Sequence, residues 1–113
     1  MVTSCKWEIQ FFNERVEREI TDWPVDIRAD FLRLAGLMQE YGADLRLPHS
    51  RAMGKGLFEL RCKGREGIGR AFYCMLIGRR IVILHGFIKK TQETPDKELQ
   101  IARKRQRDAQ DDL

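Results

Sequence analysis

Ile81-Val82-Ile83-Leu84-His85-Gly86-Phe87-Ile88-Lys89-Lys90-Thr91-Gln92-Glu93-Thr94-Pro95 is the stretch on which the fold turns. It opens as a run of apolar, mostly β-branched residues, Ile81 to Leu84. Such a run, bounded by turn signals, reads as a buried strand covered on both faces. The strand then changes character. His85, Lys89 and Lys90 put three titratable groups within six residues. A hydrophobic strand that delivers cations at one end is a scaffold for a site. A core strand with a solvated basic tail accounts for the same residues, so the neighbouring segments have to decide.

Upstream, Gly78-Arg79-Arg80 is a tight turn into this strand. Residues 70–77 are apolar on both faces except for Arg70, and Gly64 to Gly69 form another turn. Before it, residues 57–63 alternate: Phe58, Leu60 and Cys62 oppose Leu57, Glu59, Arg61 and Lys63. Short connections make these three strands an antiparallel meander, and the two-sided apolarity of the last two places them in the middle of the sheet. Residues 43–56 read as a loop with Pro48, Gly54 and Gly56, carrying Arg46, His49, Arg51 and Lys55. Backbone freedom beside cations suits phosphate contact; an ordinary connecting loop has the same composition.

The N-terminal half is of another kind. Trp7, Ile9 and Phe11 alternate with Lys6, Glu8 and Gln10, the period of a half-buried strand. Asn13 is placed to cap a short helix from Glu14. Pro24 suits the first turn of a second helix, whose stripe is Ile27, Phe31, Leu34, Ala35, Met38 and Tyr41, with Gly42 as the stop. The two helices form a hairpin that covers one face of the sheet. At the other end, Thr94-Pro95 caps a helix to about Arg107, thinly apolar at Leu99, Ala102 and Ile101 and basic at Arg103, Lys104, Arg105 and Arg107. Residues 108–113 are expected to fray. The fold class is α+β: a small twisted antiparallel sheet of about four strands, a helical hairpin on one face and a C-terminal helix.

The 113 residues suit a single domain, with 42% hydrophobic and 34% charged residues. No apolar stretch has the length of a membrane span, and the N-terminus lacks the apolar core of a signal peptide, so a cytoplasmic protein is expected. Cys5, Cys62 and Cys74 are odd in number and lack CxxC spacing, which argues against a disulfide framework or a zinc site. No metal and no cofactor is expected. The net charge of +4 hides an asymmetry: −4 over residues 1–45, +9 over 46–90 and −1 over 91–113. The middle segment holds eleven Lys/Arg against two acids, a field that attracts polyanions, nucleic acid foremost.

Three motifs in that basic half carry a resemblance. Gly56-Leu57-Phe58-Glu59-Leu60-Arg61, then Arg70-Ala71-Phe72-Tyr73, then His85 to Gln92 with Thr94-Pro95, look like the RelE/ParE toxin superfamily, and more narrowly its HigB-like, phage-derived branch. Phe58 stands where many relatives carry Trp. The resemblance covers nearly the whole chain. It implies the toxin of a type II toxin–antitoxin pair, an endoribonuclease acting on mRNA in the ribosomal A site. It further implies a concave basic sheet face opposite the helical hairpin. The implied partners are a helix-turn-helix, HigA-like antitoxin, mRNA and the ribosome. The toxin alone is expected to be a monomer that forms a hetero-oligomer with its antitoxin.

The chemistry can be set out independently. Attack of a 2′-hydroxyl on the adjacent phosphate needs that hydroxyl deprotonated, the charge at phosphorus stabilised and the leaving oxygen protonated. Guanidinium groups serve the second need. A lysine crowded by cations serves the first or third, as does a histidine that reaches the open face. The candidate catalytic residues are Arg61, Arg70, Lys89, Lys90 and His85, with Arg46, Arg51, Lys55 and Lys63 as RNA contacts. Plainer roles are open for each: an Arg61–Glu59 ion pair, a rim charge at Arg70, a satisfied core histidine at His85. A ParE-like, non-catalytic inhibitor of DNA gyrase and a plain nucleic-acid-binding module are the other functional readings.

Overall fold

The computed structural model describes residues 6–89 and 95–111, of residue 89 the backbone alone. The elements are β1 Glu8–Phe11, α1 Glu14–Thr21, α2 Val25–Tyr41, β2 Ser50–Gly54, β3 Leu57–Gly64, β4 Gly67–Leu76, β5 Arg80–Lys89 and α3 Asp96–Asp111. One five-stranded sheet, ordered β1-β5-β4-β3-β2, carries the helices, so the fold is α+β. All neighbours are antiparallel except β1, which runs parallel to β5. The two-sided apolar strands β4 and β5 lie inside the sheet, covered on both faces.

Three features differ from the sequence reading. Ser50–Gly54 is an edge strand rather than loop. Its residues carry no apolar alternation. It forms because Gly54, Lys55 and Gly56, all at positive φ (91°, 55° and 80°), fold it back onto β3. The sheet is mixed because the helical hairpin carries the chain away from β1, and β5 later returns alongside it in the same direction. Finally, α3 continues to Asp111, past the point where fraying was expected. Buried Gln106 and Ala109 extend its packed face beyond the thin apolar stripe. Cys5, Lys90 and the Thr94 cap lie outside the described residues.

The hairpin follows from its punctuation. Asn13 accepts the Val16 N–H at 2.9 Å, satisfying one of the free donors at the start of α1. Gly42, at φ 99°, ends α2 with its N–H on the Met38 carbonyl at 2.8 Å. Between them Val16, Ile20, Trp23, Ile27, Phe31, Leu34 and Met38 bury onto Leu60, Cys62, Ala71, Tyr73, Ile81 and Ile83. Tyr41 does not join this core. It stands 73% exposed on the last turn, after the stripe has ended at Met38. Phe58 stacks on Tyr73 at 5.5 Å, and the Tyr73 hydroxyl donates to the Ala43 carbonyl at 2.5 Å. Both rings therefore belong to the hairpin face.

Close approach of hairpin to sheet is made possible by Gly69 and Gly86. A Cβ on Gly69 would lie 2.8 Å from Ile27 Cγ2 and from the Trp23 ring. One on Gly86 would lie 2.8 Å from Ile20 Cγ1. Two carboxylates of α2 then tie the hairpin to the β3–β4 turn. Asp30 accepts the Lys63 N–H at 2.8 Å, and Asp26 accepts the Arg65 N–H at 2.6 Å, which holds the Asp26 carboxyl below its usual range.

Candidate functional site

The opposite sheet face carries a second core and the cations. Strand register sets its rows. Leu57, Cys74 and Val82 stand level across β3, β4 and β5. Next come Glu59, Phe72 and His85, then Arg61, Arg70 and Phe87, then Lys63 and Ile68, with the Lys89 backbone level with Ile68. Arg51 of β2 pairs with Glu59 and extends the second row.

A bulge in β5 produces this alignment. Phe72 faces His85 while Tyr73 faces Ile83, so Leu84 is an extra residue. Strict alternation would place His85 and Phe87 on the same face as Ile81 and Ile83. With the bulge, Ile81 and Ile83 pack under the hairpin, whereas Leu84 and Phe87 join the opposite cluster. The bulge re-aims the end of the strand toward the basic face.

α3 covers the apolar half of this face, burying Ala102 and Ala109 against Leu57, Phe72, Cys74, Val82 and Leu84. His85 lies beneath it, 6% exposed. Its Nε2 bonds the Glu98 carboxylate of α3, and its Nδ1 stands 3.4 Å from Arg105 Nη1 and 3.9 Å from Glu19 Oε2 of α1. Arg105 Nη1 also donates to the Leu84 carbonyl, at the bulge, at 2.9 Å. The ring stacks on Phe87. Of the roles open from sequence, the geometry favours the satisfied histidine: both ring nitrogens have partners and the side chain does not reach the open face.

Beyond α3 the face is basic. Arg70 is 4% exposed, and its Nη1 donates to Glu59 Oε1 at 2.8 Å. Among the described residues Glu59 is thus ion-paired with Arg70, one row away, rather than with Arg61. Burial pushes the Arg70 pKa down, Glu59 pushes it up, and the positive charges of Arg61 and Arg51 push it down again. A guanidinium so placed stays charged and cannot swing away. The Nε atoms of Arg61 and Arg70 are buried and have no hydrogen-bond partner among the described residues. Buried donors without acceptors are uncommon and mark a place where an acceptor is expected.

The structure therefore gathers Arg51, Arg61 and Arg70 around Glu59. Lys63 is exposed one row beyond, with the Lys89 backbone on the same row. Lys55 is exposed at the β2–β3 turn, beside Arg103 and Gln106 of α3. Arg46 remains in the loop before β2, where its carbonyl accepts the His49 and Ser50 N–H groups. No bond joins it to the cluster among the described residues. Sequence reasoning missed Glu98, Arg103, Arg105 and Gln106 as partners of the face. The only available signal was the polar character of α3, which reads equally as a solvated helix.

Comparison with known proteins agrees with this architecture. A model of the family described as phage-derived protein Gp49-like (DUF891) matches residues 18–107. A search of curated proteins found no match. Among solved structures, the chain is similar to the archaeal RelE–RelB complex from Pyrococcus horikoshii, with a TM-score of 0.56 and 17% identity over 75% of this chain and 97% of that one. It is likewise similar to the RelBE2 toxin–antitoxin complex of Mycobacterium tuberculosis, with a TM-score of 0.53 and 18% identity over 79% and 98%. At those identities the structural likeness speaks to the fold, and the family match, running from α1 into α3 and through the whole guanidinium cluster, speaks to descent: the chain belongs to the phage-derived Gp49-like family, a family of RelE/HigB type.

Proposed function

We propose that this protein is the toxin of a type II toxin–antitoxin pair, and that it cleaves messenger RNA on the ribosome until a helix-turn-helix antitoxin binds it. The observation that carries the reading is the gathering of three guanidinium groups on one sheet face, Arg61 and Arg70 level on adjacent strands and Arg51 beside them, with Lys63 one row beyond. A phosphate supplies oxygens of the matching geometry. Similarity to toxins crystallised with their antitoxins supports the partner, and the +9 charge of residues 46–90 supports an RNA substrate.

In the reaction, the 2′ oxygen forms a bond to the neighbouring phosphorus as the bond from phosphorus to the 5′ oxygen breaks. The products are a 2′,3′-cyclic phosphate and a free 5′-hydroxyl. Arg61 and Arg70 offset the charge that builds on the phosphoryl oxygens, and Glu59 holds the Arg70 fork in place for it. Arg51 and Lys63 contact flanking phosphates. Taking the proton from the 2′-hydroxyl and returning one to the 5′ oxygen fall to Lys89 and Lys90. His85 acts through α3, which it docks.

Arg70→Lys tests this. It keeps a positive charge opposite Glu59 but removes the guanidinium fork. Single-turnover cleavage at saturating protein should slow by about 10²-fold or more, with a smaller change in RNA affinity at matched salt. The control is Arg79→Asn, at the φ 58° turn before β5, where Asn tolerates the backbone. A wild-type rate in Arg70→Lys beside a slowed Arg79→Asn would show that bulk charge, not geometry, sets the rate.

A further inference from the structure

A second basic site lies at the other end of β3. Its base is the Gly54-Lys55-Gly56 turn, in which Lys55 holds φ 55°, a conformation that residues with a Cβ rarely adopt. α3 grips three successive carbonyls of this segment. Arg103 Nη2 donates to the Met53 carbonyl and Nη1 to the Gly54 carbonyl, each at 2.8 Å. Gln106 Nε2 donates to the Lys55 carbonyl at 2.9 Å, and Gln106 is itself 5% exposed. A turn held in an unfavourable conformation by packed side chains has its Cα–Cβ direction set, so the root of the Lys55 side chain is fixed.

Between turn and helix opens a cavity of about 430 Å³ lined by Lys55, Arg103, Gln106, Arg107 and Gln110. Three of the five are cations, and none of the three forms an ion pair among the described residues. Arg103 bonds neutral carbonyls, which leave its charge uncompensated. Like charges around one hollow repel, and an anion seated there relieves the repulsion.

We propose that this hollow is a second phosphate-binding site, taking the backbone of the same RNA strand at a distance from the bond held between Arg61 and Arg70. This rests on the reading of the basic face as an RNA surface. From Leu57, where β3 leaves the turn, to Arg61 is four residues of extended strand, roughly 13 Å at about 3.3 Å per residue. That exceeds the reach of a small anion, whereas a polymer with regularly spaced phosphates engages both sites. Both lie on the α3 side of the sheet, and Arg103 and Arg107 form the wall nearest the turn.

The experiment is equilibrium binding of a short 2′-O-methyl oligoribonucleotide, which has no free 2′-hydroxyl to attack with, across a salt series. Wild type is compared with Lys55→Asn/Arg107→Gln, Asn being chosen because it accepts the left-handed backbone. The control is Arg15→Gln/Arg18→Gln on the exposed surface of α1. Each phosphate contact to a single strand contributes about 0.7 to the slope of log K against log salt. The double variant should therefore lose about 1.4 in slope and bind on the order of tenfold more weakly near physiological salt, with the control unchanged. An unchanged slope, an equal loss in the control, or a wild type that does not bind the strand overturns the proposal. Cleavage of an unmodified messenger RNA on programmed ribosomes is scored separately. Cleavage without the slope difference removes the hollow alone; the slope difference without cleavage removes the nuclease reading alone.

Discussion

Glu59 and Arg70 show how single residues are committed on this face. Both are almost fully buried, and their 2.8 Å bond holds a guanidinium among two others that repel it. Desolvation makes such a pair a poor source of net stability but a firm constraint on position. Cys74, a few residues along the same strand, is buried differently, against apolar neighbours. Burial pushes its thiol up to about 11 from 9.0. The sign of the consequence is set by linkage: the unfolded chain releases this proton near pH 9, while the folded chain keeps it until about 11. The stabilisation is complete below pH 9 and is lost as pH rises toward 11. Urea midpoints of wild type should fall across that window, and Cys74→Ala should fall less steeply. Cys62 and Tyr73, raised by burial as well, supply the remaining slope. Parallel curves for the two proteins would exclude Cys74 as a contributor.

At the scale of elements, the helical hairpin and α3 attach to the sheet by different physics. The hairpin docks through an apolar stripe onto strands thinned by glycine. Gly69→Ala should therefore destabilise the fold by about 1–3 kcal/mol, since the new methyl meets Trp23 and Ile27 side chains with little room to move. Urea denaturation measures it, and a midpoint equal to wild type would mean that the hairpin shifts freely. α3 docks with few apolar atoms and many polar ones: Arg103 and Gln106 on the turn, Arg105 at the bulge, Glu98 on His85. Such bonds are directional, so α3 is set in one register over the face.

For the whole molecule, the division of labour follows the charge. The acidic N-terminal third builds the hairpin on one side of the sheet, and the basic middle third presents Arg51, Arg61, Arg70 and Lys63 on the other. Expressed in bacteria without an antitoxin, wild type should arrest growth. The Arg61→Ala/Arg70→Lys variant, at equal soluble level, should not. Unimpaired growth with soluble wild type would contradict a toxic activity. Among the described residues no helix is long and apolar enough to cross a membrane.

Much of this was legible in the chain itself because it is encoded locally. Alternation at residues 57–63, the apolar runs of β4 and β5, the Asn13 cap and the Gly42 stop each express a backbone preference of a few neighbouring residues. Charge asymmetry is additive and survives folding, so the basic half was also visible. Contacts between distant segments were not. The parallel pairing of β1, the edge strand β2, the bulge at Leu84, the Glu59–Arg70 pair and the burial of His85 under Glu98 each join residues whose proximity no local pattern specifies. The bulge had the largest effect on the site. One extra residue in β5 reverses the face of everything after it, and only the packing of Leu84 beneath α3, with Ile83 beneath the hairpin, decides where that residue goes.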